Sequence, residues 1–139
     1  MIEVTERSYQ VTKLTLRFPS FVLENRSGGK QFGYSFVELR TGVDYKTHYV
    51  GVRASYFHVG KNGKVNNRAR AYEDCSVDGL AIATAALKIA GMYEQAAIVR
   101  EALICEGKPY CPGPDVAAAK ADERIAKIKL LMEEAAKRL

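Results

Sequence analysis

The heptapeptide TKLTLRF (residues 12–18) decides how the first half of this chain folds. Leu14 and Leu16 alternate along it with Lys13 and Arg17. Because successive side chains of a β-strand point to opposite faces, this alternation predicts a strand with one face in a core and the other in solvent. The rest of the chain is interpreted outward from this strand.

Turn sequences divide the region that follows into further strands. The segment NRSGGK (25–30) favours a turn, since glycine accepts positive φ. Asn62-Gly63 is the strongest short signal for a β-hairpin. Consecutive strands joined by short turns predict an antiparallel meander within residues 1–75. Its four strands are expected over residues 12–18, 31–40, 43–59 and 64–72, with residues 21–23 resuming the first strand after a bend at Pro19.

The second half of the chain changes to a helical period of 3.6 residues. Apolar residues recur there at spacings of three and four, as in Leu80, Ala83 and Leu87. The segment GMYEQA (91–96) resembles, locally, the turn between the two helices of a tetratricopeptide unit. A repeat array needs about three copies, and the chain has one. Residues 76–107 are therefore expected to form a helical hairpin, or one helix kinked at the glycine.

The prolines of KPYCPGP (108–114) end this helical region, because proline cannot continue a helix. Residues 115–139 are expected to form one long helix with an apolar stripe three heptads long. The stripe has two interpretations. In one it packs under the sheet. In the other it forms a homodimer interface with a second copy of the chain through Ile125, Ile128 and Met132.

These elements predict a single α+β domain over residues 1–139: a four-stranded antiparallel β-meander, then a helical hairpin and a long C-terminal helix packed on one face of the sheet. Hydrophobic residues make up 47% of the chain and charged residues 27%, which is typical of a globular protein and excludes a collagen-like one. No apolar run approaches the ~18 residues of a membrane-spanning helix. The first residues lack a signal-peptide pattern, which predicts a cytoplasmic location.

The positive charge is concentrated in the β-rich half. Residues 1–72 hold twelve basic and five acidic residues, a net +7, whereas residues 73–139 hold nine and eleven, a net −2. Of the thirteen Phe and Tyr residues, all but Tyr93 and Tyr110 lie in the first 72. A basic region attracts anions, of which nucleic acid is the commonest large one. The alternative is that the lysines and arginines only keep the protein soluble.

The phase of the predicted strands gathers basic and aromatic residues on the face away from the helices. Ala69 and Ala71 are expected to face the helices instead. Arginine suits phosphate contacts, and aromatic rings suit the stacking of bases. The alternative is a solvated face with cross-strand Arg–Tyr packing. The candidate ligand-binding residues are Lys13, Arg17, Tyr45, Tyr49, Arg53, Arg68, Arg70 and Tyr72.

No pattern of catalytic or metal-binding residues stands out. Five residues lie between Cys105 and Cys111, and Cys75 stands alone, which does not fit the paired cysteines of structural zinc sites. Ser27-Gly28-Gly29-Lys30 leads into a strand rather than a helix, so it lacks the helix N-terminus that a phosphate loop uses. The sequence therefore predicts neither an enzyme nor a bound metal or cofactor.

The sequence predicts a non-catalytic binding module for a phosphate-bearing ligand, either nucleic acid or a nucleotide. The ligand would bind the basic, aromatic surface of the β-sheet. The alternative is a small phage-type inhibitor or adaptor that binds a host protein or sequesters a signalling nucleotide. In that case the same tyrosines and arginines would be interface hot spots.

Overall fold

The structure of the chain is a computed structural model. It describes residues 2–8, 11–24, 31–42, 50–59, 70–73, 77–105 and 114–138. For some residues within the strands and at helix starts it describes the backbone alone; these are residues 7, 8, 11–13, 40–42, 50–59, 70–73, 77, 114 and 115. The predicted Asn62-Gly63 hairpin and the 108–113 part of the linker lie outside the described residues.

An antiparallel sheet forms the first half of the protein, and three helices form the second, so the α+β class is confirmed. The described sheet has five strands in chain order rather than the predicted four. The additional strand, at the N-terminus, was not predicted because EVTERS is short and mostly polar. The strands are β1 (Glu3–Ser8), β2 (Val11–Glu24), β3 (Gln31–Gly42), β4 (Val50–Val59) and β5 (Arg70–Glu73).

The register of the strands defines two faces of the sheet. Residues that are directly opposite each other on neighbouring strands share a face, so they form rows that run across the sheet. One such row joins Leu16, Val37, Ala54 and Tyr72. Leu16 and Val37 are fully buried, so this row and those in phase with it are called the inner rows. The rows between them, which include the exposed Arg17, are called the outer rows.

A central helix is buried on every side in the core. The helices are α1 (Val77–Ile89), α2 (Tyr93–Ile104) and α3 (Pro114–Lys137). All eight residues from 80 to 87 are 0% exposed. A helix that is apolar on every side must be covered on every side. The sheet, α2 and α3 each contact α1 and provide that cover.

The turn between α1 and α2 ends α1 with a Schellman motif. The amide of Met92 donates to the carbonyl of Leu87 at 2.9 Å. The amide of Gly91 donates to the carbonyl of Lys88 at 3.1 Å. Gly91 has a φ of +78°, the left-handed conformation that this motif requires at its C′ position. Two separate helices therefore form here, rather than the one kinked helix that the sequence left open.

Replacing Gly91 by alanine should destabilise the fold by about 1–2 kcal/mol, the cost of a left-handed L-residue. A Cβ at this position would have no atom within 4 Å, so backbone strain is the whole of the expected effect. Urea denaturation measures the loss in the free energy of unfolding. Asparagine, which tolerates positive φ better, is the control and should cost less. An unchanged midpoint for the alanine variant would contradict this account of the turn.

Helix α3 covers β2 and α1 with its apolar stripe. Ile125, Ile128 and Met132 are 2%, 0% and 1% exposed within a single chain. They are therefore covered by their own chain and cannot meet a second copy. The predicted homodimer interface through these three residues is wrong, because the stripe is part of the core.

Two arginines form hydrogen bonds between different elements of the fold. Arg124 of α3 donates to Asp78 of α1 at 2.9 Å and to the carbonyl of Glu24, at the end of β2, at 2.7 Å. Arg100 of α2 donates from Nε and Nη2 to the two carboxylate oxygens of Asp122 in α3, at 2.7 and 2.8 Å. The bidentate Arg100–Asp122 pair fixes the orientation of the two side chains as well as their distance. Together the two arginines hold the helices in register with the sheet.

The Arg100–Asp122 pair should make stability depend on acid. The hydrogen bonds from Arg100 hold the pKa of Asp122 below its usual value. Because the folded-state pKa is the lower one, the stabilisation is present above the unfolded pKa of ~3.9 and is lost as pH falls through the folded-state pKa. The side chains are 29% and 49% exposed, so its size is at most about 1 kcal/mol.

Urea denaturation of the Asp122→Asn variant tests this expectation. At pH 7 the variant should be less stable than the parent, and the difference should vanish in strong acid. Arg100→Gln should show the same loss at pH 7, and the double variant should lose no more than either single one. A loss that persists unchanged into acid would contradict the assigned pair.

Candidate functional site

The outer rows of the sheet bring together seven of the charged residues from the first half of the chain. Three rows lie side by side, separated by two residues along each strand. The cation row joins Arg7, Lys13, Arg40 and Gly51. The middle row joins Thr5, Thr15, Glu38, Arg53 and Glu73. The platform row joins Glu3, Arg17, Phe36, Ser55 and Ala71.

The cation row places three positive residues on three neighbouring strands with no acidic residue among them. Lys13 is directly opposite both Arg7 and Arg40. Strands lie about 4.8 Å apart, so the three positions span only about 10 Å. Like charges directly opposite each other destabilise a sheet. An anion that binds across the row would remove this repulsion.

The platform row combines a guanidinium with an aromatic ring. The Cζ atom of Arg17 lies 5.0 Å from the centre of the Phe36 ring. Arg17 is exposed and Phe36 is half-buried. This is a cation–π contact at the surface. The next two positions of the row are the small residues Ser55 and Ala71, so no large residue follows Phe36 across the sheet.

The middle row is different, because its charges alternate. Glu38 is 6% exposed although its row belongs to the outer set. In register it is opposite Arg53, which in turn is opposite Glu73. A buried carboxylate is tolerated where opposite charge or hydrogen bonds compensate it. Glu38 is therefore a buried carboxylate of the middle row, whereas Arg17 in the platform row is exposed.

The register brings three of the predicted ligand-binding residues onto the outer rows. These are Lys13, Arg17 and Arg53, one in each row. The side chain of Arg17 is described, and it is exposed. Tyr45, Tyr49 and Arg68 lie outside the described residues.

The register gives β5 the opposite phase to the one expected. Tyr72 is opposite Ala54 in an inner row, and Arg70 is opposite Tyr56, whose row continues to the buried Tyr34. Ala71, expected to face the helices, belongs instead to the platform row. Arg70 and Tyr72 are therefore not grouped with Arg17 by the sheet, and the surface described here does not include them.

Three outer-row residues were missed at the sequence level. Arg40 continues the alternation of β3, in which Val37 and Leu39 are apolar, and this signal could have found it. Phe36 was expected only as part of a β-rich run, since an aromatic residue does not show which face it occupies. Arg7 could not be placed without recognising β1 as a strand.

No known protein family, characterised protein or solved structure matches this chain. Within the described ranges, no three His, Cys, Asp or Glu side chains gather closely enough to hold a metal ion. None of the helices α1 to α3 is long and apolar enough to cross a membrane, as far as their described residues extend.

Proposed function

We propose that this protein is a non-catalytic binding module for a phosphate-bearing ligand, either nucleic acid or a nucleotide, and that the outer rows of the sheet form the binding surface. The observation that carries the proposal is the cation row. Three like charges in register are unfavourable in a sheet by themselves. Charge-assisted hydrogen bonds to a bound anion would offset that cost.

The platform row supplies the second kind of contact that such a ligand needs. Phosphates are bound by Arg and Lys, while bases stack on aromatic rings and on guanidinium planes. Arg17 offers an exposed guanidinium plane, and the Phe36 ring beneath it supports that plane. A site for inorganic anions alone has no use for an aromatic platform, so the pair of rows favours a ligand that contains bases.

The salt dependence of binding tests this proposal. If the four cations of these two rows each neutralise one phosphate of a single strand, log affinity should fall with log salt with a slope of about −2.8. Between roughly 50 and 200 mM salt, the affinity should then drop about fifty-fold. Fluorescence anisotropy of a labelled oligothymidylate measures it.

Two outcomes would count against a polyanionic ligand on this surface. One is the absence of any binding at low salt. The other is tight binding that does not change with salt, which would indicate a protein partner or a small ligand in a closed pocket.

A further inference from the structure

The cation row and the platform row are too far apart for a nucleoside monophosphate to contact both. Along β2, four residues separate Lys13 from Arg17, which corresponds to about 13 Å at the rise of an extended strand. A stacked nucleic-acid strand rises about 3.4 Å per nucleotide. The distance between the two rows therefore matches a segment of about four nucleotides.

We infer that the outer face binds a short single-stranded segment of nucleic acid, with backbone phosphates on the cation row and an unpaired base on the Arg17–Phe36 platform. This inference rests on the proposed function and narrows it from any phosphate-bearing ligand to a polymer. A nucleoside monophosphate carries its base and its phosphate on one sugar, so it cannot occupy both rows at once.

The platform selects for a single strand over a duplex. The bases of a duplex are paired and stacked on each other, so none is free to stack on the guanidinium plane of Arg17. An unpaired base presents its whole face, and every base has one, so such binding tolerates different sequences. Arg17 lies over the ring already and adds a charged plane to the same platform.

The middle row sets the path of the strand between the two contact points. Its charged residues are Glu38, Arg53 and Glu73, with a net charge of −1. Phosphates are repelled from a negative row and attracted to the cation row, whereas the platform row has no net charge because Glu3 is opposite Arg17. The backbone phosphates are therefore expected on the cation row and the unpaired base at the platform.

A competition assay with one labelled probe and three unlabelled competitors tests the inference. A fluorescein-labelled oligothymidylate of about eight nucleotides reports binding by anisotropy. The competitors are the unlabelled oligonucleotide, ATP and inorganic tripolyphosphate. The variants are Lys13→Gln in the cation row and Phe36→Leu and Arg17→Gln in the platform row. The control is Lys120→Gln, which removes one positive charge from an exposed position of α3.

The oligonucleotide should compete far better than ATP at equal concentration. Phe36→Leu should weaken oligonucleotide binding at least about five-fold, the lower limit for a lost stacking contact, and leave tripolyphosphate binding unchanged. Lys13→Gln should weaken both, by about ten-fold or more. Because Phe36 is half-buried, Arg17→Gln at the exposed position is the second platform variant and should act in the same direction. Lys120→Gln should change none of these affinities by more than about two-fold.

The failures of the two proposals are distinguishable. If ATP competes as well as the oligonucleotide, or if both platform variants bind the oligonucleotide like the parent, the single-strand inference is overturned while a phosphate site stands. If neither the oligonucleotide nor tripolyphosphate binds, or if Lys13→Gln has no effect on either, the proposed function itself fails.

Discussion

Replacing Ile128 by glutamate should cost about 4 kcal/mol or more of the free energy of unfolding, because it places an unpaired carboxylate in the core. Ile128 is 0% exposed within the chain and belongs to α3, which packs against α1 and β2. A domain of this size has about 5–15 kcal/mol of stability in total. Most molecules of the variant should therefore be unfolded or aggregated at 37 °C.

Leu130→Glu is the matched control, since it makes a similar change two residues away on the same helix. Leu130 is 62% exposed, so its replacement should change stability by less than about 0.5 kcal/mol. Urea denaturation followed by circular dichroism compares the two, and light scattering reports their association. If the Ile128 variant stayed folded and became a smaller particle than the parent, the helix would be an interface between copies after all.

The helices followed closely from the sequence because their signals are local. The Gly91 turn needs a residue that accepts positive φ, and glycine marks it directly. The apolar stripe of α3 identified Ile125 and Ile128 as facing a hydrophobic partner. It could not identify that partner, because a core and a dimer interface require the same residues at the same spacing.

The strands were predictable where their alternation was clear and unpredictable where it was not. In β2, the apolar Leu14 and Leu16 alternate with the charged Arg17, so only one assignment of the buried face is reasonable. In β5, the residues that alternate with Ala71 are Arg70 and Tyr72, which have long apolar bodies and polar ends. Such residues, like alanine, are compatible with either face. The phase of β5 is set by its pairing with β4, which is a long-range feature.

The sequence predicted the chemistry of the candidate site better than it predicted which residues form the site. Lys13 and Arg17 were found because the phase of a single strand is a local property. The cation row takes one residue from each of three strands, and β1 and β3 both pair with β2. Its composition depends on the register of these two pairings, so it could not be derived from one strand. Arg7 and Arg40 enter the site because of where β1 and β3 pair with β2.

The cation row should limit stability and support binding at the same time. In the double variant Lys13→Gln, Arg40→Gln, both like-charge pairs of the row are removed and only Arg7 keeps its charge. The free energy of unfolding should rise by about 0.5 kcal/mol, because directly opposite like charges cost a few tenths of a kcal/mol or more per pair. Affinity for the oligonucleotide should fall by about 3–6 kcal/mol, since each charge-assisted hydrogen bond contributes about 1.5–3.

The opposite signs of these two effects separate a binding surface from an ordinary charged face. A solvated face would lose neither affinity nor stability when it is neutralised, and a structural salt-bridge network would lose stability. Lys120→Gln, Lys127→Gln on the exposed side of α3 is the control for the change in net charge. Thermal denaturation in low salt and again in high salt completes the measurement. The stability gained by the cation-row variant should shrink as salt screens the repulsion, and a gain that is independent of salt would show that the three charges do not repel each other across the sheet.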